Sequence, residues 1–201
     1  MASEVEIANL ALAHLGDAAT VSSLDPPEGS AQAEHCSRFY PIARDAALEM
    51  HTWKFCTRRV RLAALDVDSF EWAFAYAEPS GCLRTLAILS DTSVSTSEGQ
   101  SYETESGDGD TATIYTNQEN AVLRYTARVT DTTKFPPMVV DAISRLLASY
   151  LAGPIIKGDA GKAEAKAQYT LFRTVLSQAI VSDSNQRKLD TEHTPDWIAN
   201  R

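Results

Sequence analysis

The stretch at 30–55, SAQAEHCSRFYPIARDAALEMHTWKF, limits what this chain can fold into more than any other part of it. Ala33, Cys36, Tyr40, Ala43, Ala47 and Met50 recur three and four residues apart, which lines one face of an α-helix. Arg38, Arg44, Asp45 and Glu49 fall mostly off that stripe. Most of the stripe is small, so a neighbouring helix can approach closely. Ser30 is placed to cap the helix, which is expected to run to Trp53. Pro41 removes one backbone N–H and crowds the carbonyl four residues back, so a bend is expected there. One helix cannot bury such a face alone, and the rest of the chain must supply partners. Tyr40, Trp53 and Trp72 are the expected core anchors, with Trp53 joining the helices to the next region because the hydrophobic period changes at that residue.

The partners follow from period and punctuation. Ser3 with Glu6 reads as a capping box, Ile7, Leu10, Ala11 and Leu15 as an inner helical face, and Gly16 as a left-handed terminator. Asp25-Pro26-Pro27 marks 17–29 as an ordered loop. Past Trp53 the period is nearer two: Val60 and Leu62 alternate with Arg59 and Arg61. Trp72, Phe74 and Tyr76 alternate with alanines in a half-buried strand ending at Pro79. Leu83, Leu86 and Ile88 form a further apolar group of open type. Residues 90–110 are rich in Ser, Thr, Gly and acid, as in an exposed hairpin or mobile loop. Strands are expected at 111–115 and 121–129. Pro136 and Pro137 then open a third helix with Val139, Val140, Ile143, Leu146, Leu147, Tyr150 and Leu151 facing inward, stopped by Gly153-Pro154. Asp159 is the expected cap of a fourth, whose inner residues are Tyr169, Phe172, Leu176, Ala179 and Ile180. The expectation is an α+β protein: an antiparallel four-helix bundle with a small β-rich insertion between helices 2 and 3 and an extended C-terminal tail. Its divisions are 1–54 for helices 1 and 2, 55–134 for the insertion with a mobile acidic loop at 90–110, 135–185 for helices 3 and 4, and 186–201 for a C-terminal arm.

Chemistry is sparse. Ser30 follows Gly29 but sits in no nucleophile elbow, and helix capping explains it. His14, His35, His51 and His193 form no metal-binding pair at helical spacing. His35 and Cys36 are adjacent, so a helix points them apart. Gly158, Gly161 and Lys162 echo a phosphate loop, but the spacing is short and Ala163 stands where a hydroxyl must reach magnesium. Asp108, Asp110 and Glu119 fit the first, third and last places of a calcium loop, yet Ala112 and Thr113 occupy places that need a ligand and a glycine. No catalytic, cofactor or metal site is expected, and the chain reads as a non-enzyme. The three cysteines are odd in number and widely spaced, as for reduced thiols in a cytosolic product. The N-terminus has no basic leader, and no run approaches the apolar length of a membrane span.

Lys54, Arg58, Arg59 and Arg61 place four positive charges in eight residues of a chain whose net charge is −9. They suit DNA phosphate, a neighbouring subunit, or ion pairs with Asp66, Asp68 and Glu71. The sign of the total charge weighs against DNA.

The run YPIARDAALEMHTWKFCTRR at 40–59 resembles the signature helix of the head-to-tail connector proteins of short-tailed bacteriophages, the tail tubular protein A type. EIANLALAHLGD at 6–17 and WAFAYAEPSGCLR at 72–84 are similar to two further blocks of that family in the same order. The resemblance implies antiparallel helices with a small β-domain. It also implies a structural virion protein of the phage neck, made in the host bacterial cytoplasm. Such a protein assembles as a dodecameric ring beneath the portal after DNA packaging and receives the tail nozzle or tail tube. DNA passes through its lumen without specific binding, and no cofactor or membrane is involved. In that setting Lys54, Arg58, Arg59 and Arg61 are expected at the subunit interface. Leu189, Pro195, Trp197, Ile198 and Arg201 are expected to dock the C-terminal arm onto the portal, unless Trp197 folds back on its own subunit. The rival readings are a small helical ligand-binding module and a DNA-binding module using the basic cluster.

Overall fold

Ser3 and Glu6 open the first helix as their spacing predicts. The Glu6 N–H donates to Ser3 Oγ at 3.1 Å and the Ser3 N–H to Glu6 Oε2 at 2.7 Å, an exchange that stabilises a helix start by about 1 kcal/mol. The fold is taken from a computed structural model that describes residues 2–67, 71–91, 99–106 and 112–186. Helix α1 spans Glu4–His14 and ends on Gly16, whose φ of 74° lets the Gly16 and Asp17 N–H groups return to the carbonyls of Ala13 and Leu12. Its buried face is Ile7, Ala8, Ala11 and Leu12, while Leu10, expected inside, is 40% exposed. Asn9 holds the following loop by exchanging two hydrogen bonds with the Val21 backbone, at 2.9 and 2.7 Å.

Helix α2 covers Ala31–Glu49, capped by Ser30 Oγ accepting from the Ala33 N–H. The small-residue stripe is buried as expected, apart from Met50, which lies past the helix end and is 46% exposed. Arg44 joins the buried residues, with its guanidinium 5.9 Å from the Tyr40 ring centroid. The helix stops short of Trp53. That side chain instead folds back and donates from Nε1 to the Ala47 carbonyl at 3.1 Å, serving one of the acceptors that a helix end leaves open.

Among the described residues seven strands follow: β1 Thr57–Arg61, β2 Ala63–Leu65, β3 Phe74–Ala77, β4 Cys82–Leu89, β5 Tyr102–Ser106, β6 Ala112–Thr116 and β7 Val122–Ala127. They form two antiparallel sheets, in the orders β1-β7-β4 and β2-β3-β6-β5. Leu62, Tyr76 and Ile114 meet Ile88, Leu123 and Tyr125 in an apolar core shared by the two sheets. This is more β-structure than a small insertion. The Leu83, Leu86 and Ile88 group belongs to β4, and the acidic 90–110 stretch contains β5, so that part is a paired strand. The remainder of that stretch at 92–98 and 107–110 is outside the described residues.

Helices α3, Pro137–Ile156, and α4, Gly158–Ser184, are separated by Lys157 alone, at a φ of 63°. Gly153-Pro154 does not stop α3. A proline in the last turn removes only one internal hydrogen bond, and its fixed φ suits a helix. Consequently α4 starts at Gly158 without a side-chain cap, and Asp159 lies in its first turn, 3.0 Å from Lys162. The pair is antiparallel: Gly161 faces Ala152, and Arg145 Nη1 reaches Gln168 Oε1 at 3.4 Å.

The helices do not make the expected four-helix bundle. A bundle needs one apolar stripe per helix turned to a common axis. Here α3 is buried over Val139, Ala142, Ile143, Leu146, Leu147, Ala148, Leu151 and Ala152, most of its circumference. It takes α1, α2 and α4 on different sides, while α1 and α2 barely touch each other. Helix α4 buries only Gly161, Gln168, Phe172, Ala179 and Asp183, and Tyr169 is 44% exposed. By length and composition α3 could cross a membrane, at 20 residues and a mean hydropathy of 1.4, contrary to the expectation that no segment qualified. The three helices against it account for its apolar character.

The α3–α4 contact is tight enough to test. A Cβ on Gly161 would lie 2.8 Å from the Ala152 carbonyl oxygen, whereas one on Gly153 meets nothing within 4 Å. Gly161→Ala is expected to destabilise by about 1–3 kcal/mol. Gly153→Ala is expected to be neutral or to stabilise by up to about 1 kcal/mol through helix propensity. Urea denaturation of the two variants distinguishes close helix contact from a simple propensity effect, which would raise both.

Candidate functional site

The sequence segment that leaves α2 carries both the expected anchor and the expected basic cluster. Trp53 is 1% exposed, with the His51 ring edge-on to it at 4.8 Å between centroids and Phe55 at 6.0 Å. Tyr40 is also buried, which pushes its phenol well above the usual range. Trp72 is not a core anchor. It is half-buried, and its indole N–H donates to Glu103 Oε2 at 3.2 Å, beside β5. The aromatic–alanine alternation around it is real, but Trp72 precedes β3 and so escapes the sheet's buried face.

Lys54 is taken up at a junction that sequence reasoning missed. Its backbone N–H donates to Asp183 Oδ1 at 3.2 Å, and its ammonium donates to the carbonyls of Asp183 and Ser184. His51 Nε2 lies 3.5 Å from Asp183 Oδ2, and Asp183 is 5% exposed. A cation thus closes the C-terminal end of α4, where the helix dipole and open carbonyls favour it. A buried acid at the end of an otherwise amphipathic helix was the only available signal, and its partner lies 129 residues away.

The three arginines lie on β1. Arg61 is held by Asp91 through two contacts of 2.6 Å, so Asp91 takes the role expected of Asp66, Asp68 and Glu71. Asp66 and Glu71 make no salt bridge among the described residues, and Asp68 is outside them. Arg58 and Arg59 are exposed on an edge strand and also make no salt bridge among the described residues. Arg59 stands opposite Arg124 of β7, which brings no counter-charge. The arginines of the cluster are on a strand and not on a helix that could enter a major groove. Leu189, Pro195, Trp197, Ile198 and Arg201 lie outside the described residues.

A second polar tie joins the Ala43-Arg44-Asp45 triplet to the strands. Asp45 accepts from Arg44 Nε at 2.8 Å and from Arg128 Nε, just past β7, at 2.7 Å, while Arg44 Nη1 lies 3.8 Å from Glu4 of α1. These residues were expected on the outside of α2; they tie it to its neighbours.

One constellation has the residue types of a hydrolase site but not the arrangement. His14 Nε2 lies 3.2 Å from Ser144 Oγ and 3.7 Å from Asp141 Oδ1. Both neighbours meet the same ring nitrogen, whereas a catalytic triad uses opposite nitrogens for serine and acid. The Ser144 hydroxyl donates to the Asp141 carbonyl at 2.8 Å, so its oxygen accepts from a protonated Nε2 and is not deprotonated by it. Ser144 is fully buried, with no room for substrate. The group is a polar seam. Gln168 extends it by donating to the His14 carbonyl at 3.2 Å, and Arg145 takes the Asp141 carboxylate at 3.1 Å. Burial first, and the Arg145 charge second, hold the His14 pKa down, outweighing Asp141. Burial also pushes the thiols of Cys36, Cys56 and Cys82 up to about 11, 12 and 12, which leaves them protonated and unreactive at neutral pH. No group of three or more His, Cys, Asp or Glu is placed to hold a metal among the described residues.

Two measurements test these assignments. Trp53→Ala is expected to cost about 3–5 kcal/mol, and Trp72→Ala clearly less, in thermal or urea unfolding. For His14, a lowered folded pKa means that the unfolded chain binds the proton more readily. Its contribution to stability is complete above the ordinary value of 6.5 and is lost as pH falls through the folded pKa. Between pH 7.5 and 5, wild type should therefore lose more stability than His14→Gln; equal slopes would contradict a buried neutral imidazole.

No family model and no curated protein matches this chain, so the functional reading rests on the residues themselves.

Proposed function

We propose that the chain is a head-to-tail connector: a structural adaptor that assembles as a ring beneath a phage portal and receives the tail nozzle or tube. The observation that carries this reading is the order and placement of the three resembling blocks. They fall on α1, on the passage from α2 into β1, and on the passage from β3 into β4. The middle block contains Asp45 and Lys54, each of which ties one part of the fold to another, and Trp53, which closes the end of α2. A part that transmits mechanical constraint between a capsid and a tail needs such joints more than it needs a pocket. Among the described residues, the groove lined by Ala46, Glu49, Met50 and Arg84 is an open surface depression of about 320 Å³.

In this reading the arm at 186–201 docks on the portal through Leu189, Pro195, Trp197, Ile198 and Arg201, with Trp197 as the anchor. A DNA-binding role is less well supported, because Lys54 is spent on α4, Arg61 on Asp91, and the remaining two arginines sit on a strand edge. The test is co-sedimentation with portal rings of the same phage. The full chain is expected to bind, and truncation after Asn185 or Trp197→Ala to weaken binding by about tenfold or more, as for loss of an anchor residue. Absence of binding by the full chain would remove the connector reading. Equal binding by a folded truncation would place the docking surface elsewhere.

A further inference from the structure

The two sheets end in strands of equal length and opposite charge. β1, Thr57–Arg61, reads TRRVR and is an edge of the three-stranded sheet; β5, Tyr102–Ser106, reads YETES and is an edge of the four-stranded sheet. Each has one half-buried residue followed by four exposed ones. An edge strand presents a row of backbone donors and acceptors ready to pair with another chain. Charge on such an edge normally keeps like edges apart. Here it keeps β1 from β1 and β5 from β5, but it leaves β1 and β5 attractive to each other.

We propose that β1 of one copy pairs with β5 of another, antiparallel, with Arg59 opposite Glu105. Antiparallel pairing is the mode of every strand pair in both sheets and is the more stable per residue. In this register Val60 faces Thr104 and Arg61 faces Glu103, so both arginines on one face of β1 meet both carboxylates on one face of β5. Arg59 is the main contributor, because its own sheet sets it against Arg124. Arg61 and Glu103 add less: the first already holds Asp91, and the second accepts the Trp72 indole N–H. Directly opposed opposite charges stabilise strand pairs, and like charges destabilise them. The two edges are different surfaces, so every copy that uses one keeps the other free. Such head-to-tail contacts extend into open filaments or close into rings. The contact itself stands on the strand edges; its closure into a ring rests on the connector reading.

The experiment is sedimentation velocity on the full chain over a wide concentration range, with circular dichroism to confirm folding. Wild type should self-associate, and more weakly as salt rises. Arg59→Glu and Glu105→Arg should each weaken association by about tenfold or more, because each alone places like charges together. An equimolar mixture of the two should associate nearly as well as wild type, since every contact between unlike copies again pairs opposite charges. Arg59→Gln and Glu105→Gln report the same contact more mildly should a reversal disturb the sheet. A wild type that stays monomeric, variants that associate like wild type, or a mixture as weak as its components overturns the edge pairing. Portal co-sedimentation keeps the two proposals apart. Portal binding with rings indifferent to both reversals sinks the edge pairing and leaves the connector, while charge-dependent self-association without portal binding does the reverse.

Discussion

Asp183 brings together segments that the chain order keeps far apart. Its carboxylate meets the Lys54 backbone and the His51 ring at the end of α2, while the Lys54 ammonium closes the carbonyl end of α4. A carboxylate this well buried is costly unless paired, and removing a partner from such a group commonly costs about 3–5 kcal/mol. The arrangement fixes where α4 ends, and it fixes the direction in which the chain leaves the helices for the strands. Trp53 sits beside it and returns its N–H to α2, so the exit from the helix is set by packing and hydrogen bonding together. Asp45 with Arg128 makes a second tie where the chain returns from β7. The helical and β parts are therefore joined at both crossings.

The helical part is organised by α3. With most of its circumference apolar, it cannot lie at the rim of a bundle and instead draws α1, α2 and α4 around itself. The small residues of α2, Ala33, Ala43 and Ala47, and Gly161 of α4 allow close approach. Polar groups in this core are handled locally. His14, Ser144, Asp141, Arg145 and Gln168 pair with one another across three helices, which explains residue types that resemble a catalytic set without its geometry.

Local signals were legible where they act over a few residues. The Ser3–Glu6 cap, the Ser30 cap, the Gly16 terminator and the alternation at Phe74 and Tyr76 all lead to the elements observed. Features set by distant partners were not. The width of the α3 apolar face was visible, yet an apolar face does not say how many neighbours cover it, and the bundle was the wrong inference. The acidic stretch at 90–110 left an exposed hairpin and a mobile loop both open, because an exposed edge strand lacks the apolar alternation that marks half-buried ones; the pairing of β5 with β6 favours the hairpin over 102–106. The basic cluster was visible as charge. Its division into a helix-closing lysine, a paired Arg61 and two exposed arginines depended on Asp183 and Asp91, which no spacing rule connects to it.

The central claim is that the two crossings make one cooperative unit of helices and strands. Native-state hydrogen exchange tests it most directly, comparing amides of α3 with amides of β7 across increasing denaturant. The account predicts that the slowest amides of both elements exchange through one shared opening, with the same free energy and denaturant dependence. If β7 exchanges through a separate, lower-energy opening while α3 stays protected, the contacts at Asp183, Trp53 and Asp45 do not couple the two parts, and the account is wrong.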